Sequence, residues 1–178
     1  MATIFVFNGT SSSGKSTLAR QLQREFPDPI WHVSIDHLRD SGVLPMDRFQ
    51  SGDLSWSKHR AQIFDGFHRS IAAYADAGNH LIIEHIFDTE GWITQLKTLL
   101  AAHEVIFIGV HCPLAVLEDR ERARGDRVIG SAAEDFHKVH VGREYDLEVS
   151  SEAPLDQTVQ QILQLWQSGQ RSSEFNAR

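Results

Sequence analysis

The chain has one cysteine, Cys112, in 178 residues, so no internal disulfide can form and a cross-linked secreted framework is excluded. That scarcity fits a reducing compartment, the cytoplasm. Basic residues are also few, 17 Lys and Arg against 24 Asp and Glu, for a formal net charge of -7. The overall field repels polyanions, so no nucleic-acid partner is expected unless basic residues gather locally. Long apolar runs are missing: no stretch approaches the about 18 residues of a membrane span. The N-terminal run MATIFVFNG lacks the basic start and cleavage site of a signal peptide, and no membrane partner is expected. Internal repeats, low-complexity tracts and interior linkers are absent as well. Trp31, Trp56, Trp92 and Trp166 are scattered rather than interleaved with basic residues, a distribution that suits packing better than base stacking. Oligomeric state is left open.

What remains is the pattern of one α/β domain, expected over residues 1–168, followed by a disordered tail at 169–178. The runs TIFVFN (3–8), HVSID (32–36), HLIIEHI (80–86), EVIFIGVHC (104–112) and YDLEV (145–149) are strand candidates rich in Ile, Val and Phe. Between them, KSTLARQLQREF places Leu18, Leu22 and Phe26 four apart. A second segment, from His59, places Ile63, Phe67 and Ile71 on one face before Gly78, the spacing of amphipathic crossover helices. Strands alternating with such helices predict a parallel five-stranded sheet with helices on both faces, whose ligands bind beyond the carboxyl ends of the strands.

At that edge stands NGTSSSGKST, residues 8–17. Gly9, four residues, then Gly14, Lys15 and Ser16 give the spacing of a phosphate-binding P-loop, in the strand, loop, helix order the motif requires. Gly9 and Gly14 permit close approach of backbone to phosphate. Thr10, Ser11, Ser12 and Ser13 are expected to serve as backbone donors, with Thr17 completing the nucleotide-binding stretch. Lys15 can reach the β- and γ-phosphates of ATP and the Ser16 hydroxyl can ligate Mg²⁺.

A P-loop alone does not separate a kinase from a nucleotide-dependent switch. The segment DRERARGDR (119–127) sets Arg120, Arg122, Arg124 and Arg127 within eight residues. Arginine forks suit phosphate oxygens, and phosphoryl transfer is accelerated by positioning and charge stabilisation, so an arginine lid over ATP is one reading and a solvated charged helix the other. Arg120, Arg124 and Arg127 are the candidate catalytic arginines. Asp36, read as ending the second strand, is the candidate general base, with helix N-cap as its alternative. Glu84 ends the third strand and is either a Mg²⁺ or hydroxyl-orienting ligand or a polar strand end. No guanine-reading NKxD segment is found. His137 and His140 have no third ligand placed by the sequence, so no zinc is proposed. Cys112 reads as a buried inert thiol.

NGTSSSGKST, SIDHL, GVHCPLAVLEDRERARGDRVIGSAA and VHVGREYDLEV together resemble the chloramphenicol phosphotransferase family of small P-loop kinases over most of residues 3–150. The resemblance implies a P-loop kinase-type fold with an arginine-rich lid. It further implies ATP-dependent transfer to an alcohol on a small molecule, with Lys15 and Ser16 at the phosphates and Asp36 as base. Antibiotic inactivation is one such activity; a shikimate-, gluconate- or nucleoside-type kinase is the alternative, and a non-enzymatic switch a further one. Two departures stand out. Arg39, Asp40, Asp47, Arg48, Asp53, Lys58, His59 and Arg60 crowd the expected acceptor region and suit a polar acceptor. Glu84 and His85 stand where the resemblance implies two acidic residues.

Overall fold

The computed structural model describes residues 1–124 and 130–176. Five strands, β1 (Thr3–Asn8), β2 (Ile30–Ser34), β3 (His80–His85), β4 (Glu104–His111) and β5 (Leu147–Ser150), form one parallel sheet in the order β2-β3-β1-β4-β5. All six residues of β1 are buried, because a central parallel strand is covered on both faces; TIFVFN accordingly reads as a continuous apolar run rather than an alternating one.

The pleat divides that run between two cores. Ile4 and Val6 meet Phe67 and Ile71 of α4 (Trp56–Asp76) and Leu96 of α5 (Trp92–Leu99). Phe5 and Phe7 meet Leu18 and Leu22 of α1 (Lys15–Glu25) and Val159 and Ile162 of α8 (Leu155–Ser168). Burying each such side chain contributes about 1.5–3 kcal/mol, and the two cores fix the carboxyl ends of β1, β3 and β4 at one edge. Short helices α2 (Ile35–Asp40), α3 (Met46–Gln50), α6 (Leu114–Arg124) and α7 (Ser131–Phe136) rise from that edge. No described helix is long and apolar enough to cross a membrane.

Two expectations are corrected. β2 ends at Ser34, two residues before Asp36, because the Ser34 hydroxyl accepts the His37 N–H at 3.2 Å and caps α2. A serine oxygen in that position satisfies a helix donor that the strand ladder would otherwise leave to solvent. Asp36 therefore lies in the first turn of a helix, and the capping role belongs to Ser34. The tail expected to be disordered from 169 is instead packed through Asn176. Asp146 Oδ1 accepts the N–H groups of Ser172 and Ser173, while its Oδ2 accepts that of Phe107 in β4. Arg171 pairs with Glu104 at 2.5 Å, Phe175 packs on Phe107, and Asn176 donates to the Val105 carbonyl.

Candidate active site

The loop after β1 is shaped by two glycines for different reasons. A Cβ on Gly9 would stand 2.5 Å from the Val110 carbonyl oxygen of β4, so a side chain has no room. Gly14 caps α1 at φ 97°, a left-handed conformation that L side chains rarely adopt. Lys15 is buried, and its ammonium donates to the carbonyls of Gly9 and Thr10 at 2.7 Å each. Asn8, the last residue of β1, anchors the loop from below. Its amide donates to the Val139 carbonyl and to the Tyr145 hydroxyl, and its Oδ1 accepts the N–H of Phe87. Asparagine supplies donors and an acceptor in one buried side chain, so one residue ties three segments to the foot of the loop.

On β3, Glu84 meets the loop. The Ser16 hydroxyl donates to its Oε2 at 2.9 Å and His32 Nε2 approaches its Oε1 at 2.5 Å. Burial raises the Glu84 pKa, but the His32 hydrogen bond, the charges of Lys15 and His32 and the Ser16 hydrogen bond outweigh it, so the carboxyl is held below its ordinary value. The pair Ser16 and Glu84 offers two hard oxygen donors, one anionic, which suits Mg²⁺ completed by phosphate and water oxygens. Among the described residues no group of three or more His, Cys, Asp or Glu could hold a metal by itself.

A cavity of about 910 Å³ opens over the loop and joins the site's parts. Its floor is residues 11–18. One wall carries Asp36, Arg39, Trp56, Arg60 and Phe64; the opposite one carries Arg120, Val149, Ser151 and Leu155. Asp36 Oδ1 accepts from Arg39 Nη1 at 2.9 Å, one turn apart on α2, and the carboxylate keeps 41 % of its side-chain surface exposed. Arg60 Nη2 donates to both oxygens of Asp88 at 2.8 and 2.7 Å, Nη1 donates to the Thr89 hydroxyl at 2.7 Å, and the guanidinium carbon lies 4.4 Å from the Trp92 ring centre. Asp135 also reaches the cavity; burial, then the charges of Asp88 and Glu134, raise its pKa.

Of the proposed arginines, Arg120 donates to the Ser12 carbonyl at 3.1 Å and lines the cavity. Arg122 turns away to Asp119 on the exposed side of α6. Arg127 lies outside the described residues, as does the side chain of Arg124. Buried Glu121 accepts the Gly130 N–H at 2.7 Å and ties α6 to the start of α7. Of the charged residues expected around the acceptor, Arg39 and Arg60 line the cavity and Asp40, Asp47, Arg48, Asp53, Lys58 and His59 do not. Missed by the sequence reading were Asn8, His32 and the Arg60–Asp88 pair. Asn8 stands directly before Gly9, and the position was a signal; nothing local marks the other two.

The chain matches the family described as chloramphenicol phosphotransferase-like protein over residues 2–167. It is 26 % identical over 193 residues to a Mycobacterium tuberculosis protein provisionally named an O-phosphotransferase, covering 97 % of this chain and 86 % of that one. Among solved structures it resembles the M. tuberculosis APS kinase in complex with AMPPNP and APS (TM-score 0.67, 20 % identity, 93 % of this chain and 98 % of that one). It also resembles Aquifex aeolicus shikimate kinase (TM-score 0.58, 17 % identity, 93 % and 96 %) and a Sinorhizobium meliloti gluconokinase (TM-score 0.63, 17 % identity, 94 % and 92 %). The structural likenesses establish the fold, a P-loop kinase fold.

Proposed function

Because the chain belongs to the chloramphenicol phosphotransferase-like family, we propose that it is an ATP-dependent phosphotransferase moving the γ-phosphate to a hydroxyl of a small, neutral, polar molecule. The observation that carries this reading is one shared cavity holding the P-loop, the Ser16–Glu84 pair and Asp36. A triphosphate would be held by the backbone of residues 9–14, by Lys15 and by Arg120. Bound Mg²⁺, held by Ser16 and Glu84, would supply charge neutralisation at the β- and γ-phosphates. Asp36 accepts the proton of the acceptor hydroxyl as that oxygen attacks phosphorus.

The character of the acceptor follows from charge at Asp36's end of the cavity. Arg39 and Arg60 are both engaged by carboxylates, Asp36 and Asp88, and Asp135 adds a further acidic side chain. Such an end offers an anion little net attraction, whereas Trp56 and Phe64 beside it offer apolar surface. Neutral alcohols, antibiotics among them, suit it better than shikimate or gluconate, which are carboxylates.

The test is a screen of neutral and anionic alcohols for acceptor-stimulated ADP release, with Lys15→Ala as the blank. Stimulation by neutral alcohols supports the reading. Basal ATP hydrolysis unchanged by every alcohol would overturn it, and stimulation confined to carboxylates would overturn the acceptor class.

A further inference from the structure

His32, on the edge strand β2, differs in kind from its surroundings. Alternate residues of a strand share a face, and on this face Ile30 and the cross-strand neighbour Ile82 belong to the apolar core shared with α1 and α8. The imidazole beside them keeps only 7 % of its side-chain surface exposed, and the His37 ring of α2 stands edge-on to it at 4.6 Å between centroids. A polar group so placed costs free energy unless a partner meets it. Its partner is Glu84, two residues beyond Ile82 on the same face of β3.

The bonds around Glu84 assign the protons. Held below its ordinary pKa, Glu84 is a carboxylate and can only accept. His32 Nε2 therefore carries a hydrogen and donates it to Oε1 at 2.5 Å, while the Ser16 hydroxyl gives its one proton to Oε2 at 2.9 Å. The torsion of a glutamate carboxylate is soft, so the Ser16 bond alone leaves it free to turn. A second bond from a different element fixes its plane: one oxygen is held from β2 and the other from α1. A hydroxyl whose proton is committed in this way presents only lone pairs to anything else that approaches, the state in which it can ligate a cation.

We propose that His32 is a positioning residue for the cation that accompanies the nucleotide: it fixes Glu84, and through Glu84 the Ser16 hydroxyl, in the arrangement that receives Mg²⁺. This rests on the metal assignment of Ser16 and Glu84 within the phosphotransferase reading. Groups that hydrogen-bond a ligating side chain typically set about 10- to 100-fold in metal affinity, and the loss on removing His32 is expected in that range.

The test measures binding of a non-hydrolysable ATP analogue by calorimetry, across a Mg²⁺ titration and again in EDTA. It uses no acceptor, so its failure is separate from a failure of the alcohol screen. In His32→Leu the half-saturating Mg²⁺ concentration should rise by about 10- to 100-fold, with the affinity in EDTA little changed. His32→Gln, whose amide nitrogen falls near the Nε2 position, should return that midpoint toward wild type. His32→Asn, whose nitrogen falls near Nδ1, should not. An unchanged midpoint in His32→Leu overturns the proposal, and so does a loss of affinity equal in Mg²⁺ and in EDTA, the mark of a structural role. Where His32→Leu does not fold, the other two variants decide: equal midpoints, or a higher one in His32→Gln than in His32→Asn, overturn it. Should wild type bind the analogue equally with and without Mg²⁺, the metal assignment of Ser16 and Glu84 fails, and the role of His32 with it.

Discussion

Substituting Gly9 by alanine is the sharpest mechanical test of the loop. The added Cβ would sit 2.5 Å from the Val110 carbonyl oxygen and 3.0 Å from Ser13 Oγ, where ordinary contact begins at 3.4 Å. Val110 is the penultimate residue of a strand whose ladder to β1 pairs Asn8 with Gly109, so β4 cannot retreat without breaking bonds. The loop must move by about 0.9 Å instead. That displaces the Gly9 carbonyl, one of two oxygens holding Lys15. Overpacking of this kind costs about 1–3 kcal/mol, which in a domain of this size lowers Tm by about 2–12 °C. An ångström of misplacement at reacting groups can cost about 10²-fold in rate, so transfer should fall further than stability does. Gly66→Ala is the control: it sits inside α4 with nothing within 4 Å of the new Cβ and should stabilise by about 0.5–1 kcal/mol. Calorimetry and nucleotide titration of both variants decide the matter. Wild-type ATP affinity and turnover in Gly9→Ala would refute the claim that backbone approach at this point builds the phosphate site.

Lys15→Ala should severely weaken ATP binding or turnover by removing the cation at the phosphates; titration with a non-hydrolysable analogue at unchanged Tm checks it, and wild-type affinity and turnover would sink the assignment. Asp36→Asn should bind ATP normally while transfer falls about 10²- to 10⁴-fold. If it transfers at the wild-type rate while Glu84→Gln is inactive, the roles of these carboxylates exchange. A pH effect follows from the Asn8 network. The Tyr145 hydroxyl accepts from Asn8 and therefore gives its proton to His140 Nδ1. Burial, then the charges of His111 and Lys15, lower the His140 pKa to about 4. The unfolded chain binds this proton near pH 6.5 and the fold does not, so stability is full above about pH 6.5 and falls toward pH 4 by at most about 3 kcal/mol. His140→Phe should flatten that slope in urea titrations across this range; an unchanged slope would refute the neutral assignment.

How much of this was legible in the sequence depends on where each residue's partners lie along the chain. The P-loop was legible because its parts are contiguous: donor glycines, lysine and serine occupy eight residues, and the flanking apolar runs supply strand and helix. The parallel sheet was legible because buried parallel strands announce themselves as apolar runs. Asp36 was placed two residues too far along a strand because VSIDHL alternates convincingly, while the competing signal, one Ser34 hydroxyl closing on His37 N–H, is worth about 1 kcal/mol and carries no periodicity. The tail was misread because its polar composition says nothing of Asp146, 26 residues upstream of Ser172, whose carboxylate receives it.

The end of the cavity proposed to take the acceptor is hinted at by composition, while its arrangement is not. Seven charged residues and a histidine between 39 and 60 suggested a polar pocket, yet two of them, Arg39 and Arg60, line the cavity, and each of those two is engaged by a carboxylate. Arg60 meets Asp88 because α4 runs antiparallel to β3 across one face of the sheet, a relation that depends on the whole crossover and on no short motif. His32 meets Glu84 because β2 and β3 pair with Ser34 opposite Glu84, so the second ligand of that carboxylate is set by strand register. The His85–His68 contact likewise joins a strand end to a helix interior 17 residues away. Local sequence thus marks the loop proposed to hold phosphate, while the residues around the rest of the cavity are brought together by tertiary pairing. On the proposed phosphotransferase reading, acceptor specificity is expected to lie with Asp36, Arg60 and Asp88, which line the same cavity, rather than with residues 8–17.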